Sequence, residues 1–217
     1  MTNKWKPRYG QLCQGLFAYL MNERKPMGVY IDVGCRDPYR TNNTWFLEKT
    51  LNWRGISIDI VDYSSAWEER NSIFVQMNAL TGDFRALYEQ HNIPKVVDYL
   101  THDLEGNGDR YKGLIRMPFD DYEYKVITIE HDAYRGYEHT EREPQRQFLQ
   151  SKGYLLVAAD VRSNAGDMQE DWWIHPKHIP ARLFNSFYSE SKKFNHIFKF
   201  AGYDIDKLYN EGEGNNE

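Results

Sequence analysis

Carboxylates and histidines collect in this sequence at the points where short apolar runs stop. Gly34, Cys35, Arg36 and Asp37 lie at the end of "GVYIDVG" (28–34), which also holds Asp32, and Asp59 stands near the end of "GISIDIV" (55–61). Asn78 ends "SIFVQMN" (72–78) and Ala79 follows it. His102, Asp103 and Glu105 come at the end of "KVVDYLTHD" (95–103), and Glu130, His131 and Asp132 at the end of "YKVITIEH" (124–131). Four of the five run ends carry acids, which repel a phosphate-rich ligand. A ligand with cationic groups and hydroxyls suits them, and so does a metal ion.

Asp59 lies 25 residues after Gly34, a suitable place for a carboxylate that grips a ribose diol. Three glycines would let a backbone approach a pyrophosphate, and this loop keeps only the first. S-adenosylmethionine fits: it has a ribose, an adenine, an ammonium and a sulfonium, and no phosphate. The plainer alternative stays open, because a lone glycine after a strand is weak on its own and Asp59 could cap a helix.

These positions need a scaffold that brings strand ends together. The five runs read as strands, and "YLLVAADV" (154–161) and "DWWIHP" (171–176) as two more. Helical patterns intervene at 42–53, where Leu47 and Leu51 are one turn apart and an Asn is available as cap, and at 81–91, with Thr81 as cap. Thr140 and Glu143 have capping-box spacing for a helix running to about Lys152, with Pro144 in its first turn and Gly153 placed to end it. A leading helix is expected around "QLCQGLFAYLM" and a trailing one within 178–200. Strands alternating with helices imply an α/β, Rossmann-like fold. The sheet is expected to be seven-stranded and mostly parallel, with helices on both faces and an antiparallel last strand pair.

The 217 residues suit one domain: an N-terminal helical arm (1–25), a core (28–176), a C-terminal helical segment (178–203) and an acidic tail (204–217). The tail has too little apolar content to order itself, and it carries −4 of the net charge of −5. No large basic field exists, so no nucleic-acid partner is implied. There is no membrane-length apolar run and no signal peptide. Cys13 and Cys35 have no metal-type spacing and read as reduced thiols of a cytoplasmic protein. Exposed aromatics in 183–200 could support a homodimer.

The segment "YIDVGCRDPYRTNNTWFLEKTLNWRGISID" resembles the opening of the FkbM-type methyltransferases, whose pattern runs D-V-G-A-N-D-G, S-N-T, a leucine-glutamate, W-x-G and an acid on the second strand. Asp32, Gly34, Asp37, Asn43, Thr44, Leu47, Glu48, Trp53 and Gly55 match. "VVDYLTHDLEGNGDRYKGL" is similar to the second signature through Asp98, Leu100, Asp103, Glu105 and Gly106. "YEYKVITIEHD" with "FLQSKGYLLV" is similar to the third through Glu130, His131, Leu149, Gly153 and Tyr154. The resemblance spans roughly residues 28–176. The sequence departs from it at Cys35, Arg36 and Pro38, and in having Asp59 where the family usually has glutamate. Arg36 places a cation near where a cationic cofactor would lie, or else points towards Asp37 or the cofactor's carboxylate.

The resemblance implies transfer of a methyl group from S-adenosylmethionine to an oxygen, often a hydroxyl of a sugar or secondary metabolite. It places Gly34 against the methionine portion, Asp59 on the ribose, Asn78 and Ala79 near the adenine and Asp103 near the methyl end. Asp32, Cys35, Arg36, Asp37, Asn43 and Ile60 complete the expected cofactor-binding set.

A hydroxyl needs a base or a metal to act as a nucleophile. Asp103, Glu130 and His131 are the candidate catalytic residues. They also resemble the divalent-metal site of some O-methyltransferases. Mg²⁺ would prefer the oxygens, and a histidine ligand would shift the choice towards Mn²⁺, Fe²⁺ or Zn²⁺. Glu130 could instead pair with Arg135 or hold the cofactor's ammonium, and His131 could be a neutral base without metal. His102 alternates to the other face and reads as a packing residue. Tyr39, Arg40, Tyr134, Arg135 and Tyr137 could form an acceptor rim, and one of Trp172 and Trp173 could stack on a sugar. A nicotinamide oxidoreductase and a binding protein without methyl transfer are the rival readings.

Overall fold

The computed structural model describes residues 10–205 and 207. The first nine residues of the expected arm and nearly all of the acidic tail lie outside the described residues.

The chain runs α1 (Gln14–Met21), β1 (Val29–Val33), α2 (Trp45–Leu51), β2 (Arg54–Asp59), β3 (Ile73–Gln76), α3 (Phe84–Gln90), β4 (Val96–His102), α4 (Asp109–Leu114), β5 (Glu123–Glu130), α5 (Glu143–Ser151), β6 (Leu155–Arg162), β7 (Met168–Ile174), α6 (Ala181–Phe184), β8 (Ser189–Glu190) and α7 (Phe194–Phe200). The strands form one sheet in the order β3-β2-β1-β4-β5-β7-β6-β8. β3, β2, β1, β4 and β5 are parallel, and β7 runs antiparallel between β5 and β6. From β1 the chain winds outward through β2 and β3, then crosses back to β4 and winds the other way. The crevice at the carboxyl ends of β1 and β4 is therefore the topological switch point, where an open α/β sheet receives a ligand.

Every residue of β1 is buried, as expected of a central parallel strand covered on both faces. One apolar layer joins Phe17, Phe46, Trp172 and Phe198 beneath α1, α2 and α7. The opposite layer joins Ile31, Leu100, Phe84, Leu114, Leu149 and Trp173 beneath α3, α4 and α5. Adjacent tryptophans on β7 thus fill opposite layers, because successive strand residues face opposite sides. Both are fully buried, so neither is available to stack on a sugar.

Two local expectations change. The stretch 178–200 is not one helix: α6, a 3-10 turn (Asn185–Phe187), the short β8 and α7 divide it, and β8 supplies an eighth strand alongside β6. Ser191, with φ of 52°, breaks the helical path before α7. Thr81 does not cap α3. Asp83 does, its carboxylate accepting the Ala86 N–H at 3.0 Å. Pro144 sits in the first turn of α5, and Gly153, with φ of 85°, follows its end.

Candidate functional site

The site begins where β1 and β4 nearly touch. The Asp103 N–H donates to the Val33 carbonyl at 2.9 Å, and Gly34 has a φ of 83°. A Cβ on Gly34 would lie 2.0 Å from the Asp103 carbonyl oxygen, so this position admits only glycine. Its N–H and that of Cys35 both donate to the Ile58 carbonyl, at 2.8 and 3.1 Å. The loop is thereby laid against the end of β2. There Asp59 accepts the Arg36 N–H at 3.0 Å and the Val61 N–H at 2.9 Å, which fixes its carboxylate at the strand end.

A cleft of about 330 Å³ opens over these strand ends, large enough for a small ligand. Gly34, Asp59, Ile60, Asn78, Ala79 and Asp103 line it, together with Ile58, Val61, Met77 and Tyr63. Ile60 and Val61 are exposed and offer apolar surface beside the Asp59 carboxylate. Asn78 accepts the Leu80 N–H at 2.9 Å, which sets the turn after β3.

A smaller cleft of about 60 Å³ meets the first at Gly34, Arg36 and Asp103, and is lined further by Asp32, Cys35, Arg40 and Asn43. Asp32 accepts hydrogen bonds from the Thr44 hydroxyl at 3.0 Å and the Asn42 amide at 3.3 Å. Burial nevertheless pushes its carboxyl up to about 6. The Asn43 amide donates to the Thr101 hydroxyl at 2.9 Å. Burial also raises the Cys35 thiol, and neither Cys35 nor Cys13 is in a disulfide.

At the far side of this junction Asp103 and Glu130 share a hydrogen bond between their carboxyls. Burial raises Asp103 while the bond to Glu130 lowers it, whereas burial and then the Asp103 charge and hydrogen bond push Glu130 up to about 9, so the proton of the pair sits on Glu130. Arg110, whose side chain is wholly buried, donates to Glu130 from Nε at 3.0 Å and to Asp132 at 2.9 Å. Glu170 faces Glu130 across the β5–β7 ladder. Burial raises it too, to about 8, and Gln14 and Trp172 donate to it.

His131 lies apart from this pair. Its Nδ1 accepts the Ala133 N–H at 3.1 Å, and its Nε2 points between Asp160 and Asp171, 3.5 Å from each. His131 comes one residue past the end of β5, and its ring turns to Asp160 and Asp171, not to the Asp103–Glu130 pair. The expected trio of Asp103, Glu130 and His131 does not form a metal cradle. Among the described residues, the three possible ligands whose atoms lie within 4.8 Å of one another are His131, Asp160 and Asp171. There Arg146 grips Asp171 with bonds of 2.7 and 2.8 Å, and Arg142 and Arg146 hold Asp160 at 3.1 and 3.0 Å. Two guanidiniums already neutralise the two carboxylates, so this cluster does not fit a divalent cation either. The His131 ring is thus enclosed within the buried Asp160, Asp171 and Arg146 cluster, its Nδ1 taken by the Ala133 N–H.

Other expected residues take structural places. Arg36 turns to Glu105, 3.3 Å away, and not to Asp37. Asp37 accepts the Tyr39 and Arg40 N–H groups, both at 2.8 Å, and shapes the loop. His102 is fully buried against Gly113. Of the expected rim, Arg40 lines the smaller cleft, whereas Tyr39 donates to Glu69 at 2.9 Å and Arg135 pairs with Asp132 at 3.2 Å. Arg70, Trp67, Arg110 and Glu170 were not singled out from the sequence. The register placing Glu170 opposite Glu130 was the one signal for any of them, and it required the hairpin pairing to be known.

No protein-family profile matches the chain, and no curated protein matches it. Solved structures do. A fibrillarin pre-rRNA processing protein of Methanococcus jannaschii superposes with a TM-score of 0.50 at 17% identity, over 79% of this chain and 76% of that one. An rRNA methylase from Streptococcus thermophilus gives 0.47 at 9% identity, over 74% and 93%. The MycE methyltransferase of the mycinamycin biosynthetic pathway, solved with Mg and SAH, gives 0.46 at 14% identity, over 68% of this chain and 44% of its own length. The likeness to the fibrillarin structure agrees with the architecture seen here, a Rossmann-like α/β fold with an eight-stranded, mostly parallel sheet. Among the described residues, no helix is long and apolar enough to cross a membrane.

Proposed function

We propose that the protein is an S-adenosylmethionine-dependent methyltransferase of the FkbM type, acting on a hydroxyl of a sugar or secondary-metabolite type small molecule. The observation that carries the reading is the cleft at the β1–β4 switch, in which Asp59 is fixed between an apolar wall and the Gly34 loop. The lining carries Asp59, Asp103, Glu105 and Asp109 against the one guanidinium of Arg36, which suits a sulfonium and an ammonium and opposes a pyrophosphate. That balance also speaks against a nicotinamide dinucleotide. The same excess of acids in the lining favours a small acceptor over a polyanionic one.

In this reading Asp59 holds the ribose hydroxyls, Ile60, Val61 and Ala79 pack against the adenine, and the Gly34 loop carries the methionine end. When bound, S-adenosylmethionine supplies an electrophilic methyl group on a sulfonium. Asp103, at the junction of the two clefts, would accept the proton of the acceptor hydroxyl as its oxygen takes the methyl group and the sulfonium leaves as a neutral thioether. Glu130 keeps the proton the pair already shares, and Arg110 holds Glu130 in place. No step runs through a metal ion.

Calorimetric titration with S-adenosylhomocysteine tests the proposal. Wild type should bind, Asp59→Ala should bind about tenfold or more weakly, and Mg²⁺ or Mn²⁺ should leave the affinity unchanged. Absence of binding to wild type would refute the cofactor assignment, and a screen of hydroxyl acceptors follows from a positive result.

A further inference from the structure

The loop Cys35–Thr44 lacks the glycines that let such a loop hold itself, yet it walls the smaller cleft and reaches the larger one through Arg36. Its support comes from elsewhere in the chain, from the connection between β2 and β3. Arg70 donates to the Pro38 carbonyl at 2.5 Å, the Asn42 side-chain oxygen at 3.2 Å and the Thr44 hydroxyl at 3.1 Å. Its side chain is wholly buried, and its Nε lies 3.0 Å from the equally buried Glu48 carboxylate. Trp67 stacks on the Arg70 guanidinium, 4.5 Å from its ring centroid, and donates its indole N–H to the Arg36 carbonyl at 3.0 Å.

We infer that Arg70 and Trp67 are positioning residues for the cofactor's amino-acid end, replacing with side-chain bonds the support that a glycine-rich turn would give. This rests on the proposed cofactor reading. Arg70 reaches the smaller cleft through Asn42 and Thr44, both of which donate to Asp32. Trp67 reaches it through the Arg36 carbonyl, next to the N–H that Asp59 holds. Neither side chain lines either cleft, so both act through the loop. Pro38 has no N–H to contribute, and its carbonyl is the anchor that Arg70 takes. A charged, buried donor with several acceptors fixes a loop more firmly than neutral contacts do.

The test compares two ligands. Adenosine uses the Asp59–Ile60–Asn78 end alone, and S-adenosylhomocysteine also needs the loop. Calorimetric affinities for both are measured on wild type, Arg70→Met, Arg70→Lys and Trp67→Phe. The expected result for Arg70→Met is a loss of about tenfold or more for S-adenosylhomocysteine, with adenosine within about twofold. Arg70→Lys should recover part of the loss. Trp67→Phe keeps an aromatic ring and loses one donor, so it should lower the ratio of the two affinities about threefold or more, and it decides the matter if Arg70→Met does not fold. Equal loss for both ligands, or no loss for either, overturns the inference and leaves Arg70 and Trp67 as supports of the fold. Wild type that binds neither ligand overturns the cofactor reading itself, and this inference with it.

Discussion

Replacing Gly34 by alanine probes the contact on which the whole site depends. The new methyl group would stand 2.0 Å from the Asp103 carbonyl oxygen, at a φ of 83°. A side chain in the left-handed region costs roughly 1–2 kcal/mol. Overpacking against backbone adds about 1–3 kcal/mol. The sum is about 3 kcal/mol even if β1 and β4 part to relieve the clash. For a chain of this size each kcal/mol lowers Tm by roughly 2–4 °C, so a fall of about 6–12 °C is expected. Parting the strands also moves Asp103, which lines both clefts, so S-adenosylhomocysteine affinity should fall with Tm. Thermal denaturation followed by circular dichroism and calorimetric titration read the two effects. A Gly34→Ala variant with wild-type Tm and affinity would refute the claim that the close approach of the strands builds the site.

Two further outcomes follow from buried charges. Burial holds the Asp32 carboxyl at about 6, above an unfolded aspartate near 3.9. The folded state therefore binds the proton more tightly, and the stability so gained is complete below about pH 4 and lost as pH rises through about 6. Asp32→Asn should remove this loss of about 3 kcal/mol. Urea midpoints should then show the variant gaining on wild type between pH 4 and pH 8, and a constant difference across that range would contradict the assignment. Arg146→Met leaves Asp171 and Asp160 short of a partner inside the protein and should cost about 3–5 kcal/mol in urea denaturation. A loss below about 1 kcal/mol would mean that solvent reaches the cluster.

By itself the sequence determined the order of the elements and the end of the sheet at which the cleft opens. Apolar runs separated by helical patterns admit little but an α/β sheet, and in such a sheet the strand ends are where polar residues meet a ligand. Gly34, Asp59, Asn78, Ala79 and Asp103 were legible for that reason, and the main cleft contains all five. Which way each neighbouring side chain turns was not legible. His131 adjoins Glu130 in the chain but faces Asp160 and Asp171, residues contributed by the β6–β7 hairpin. Trp172 and Trp173 look alike in sequence and fill opposite layers. Nothing in the sequence marks Arg70 and Arg110, which folding buries against Glu48 and Glu130. The period of the sequence decides which residues can share a face. Only the pairing of distant strands and loops decides which charges meet, because a buried ion finds its partner across the fold and not along the chain.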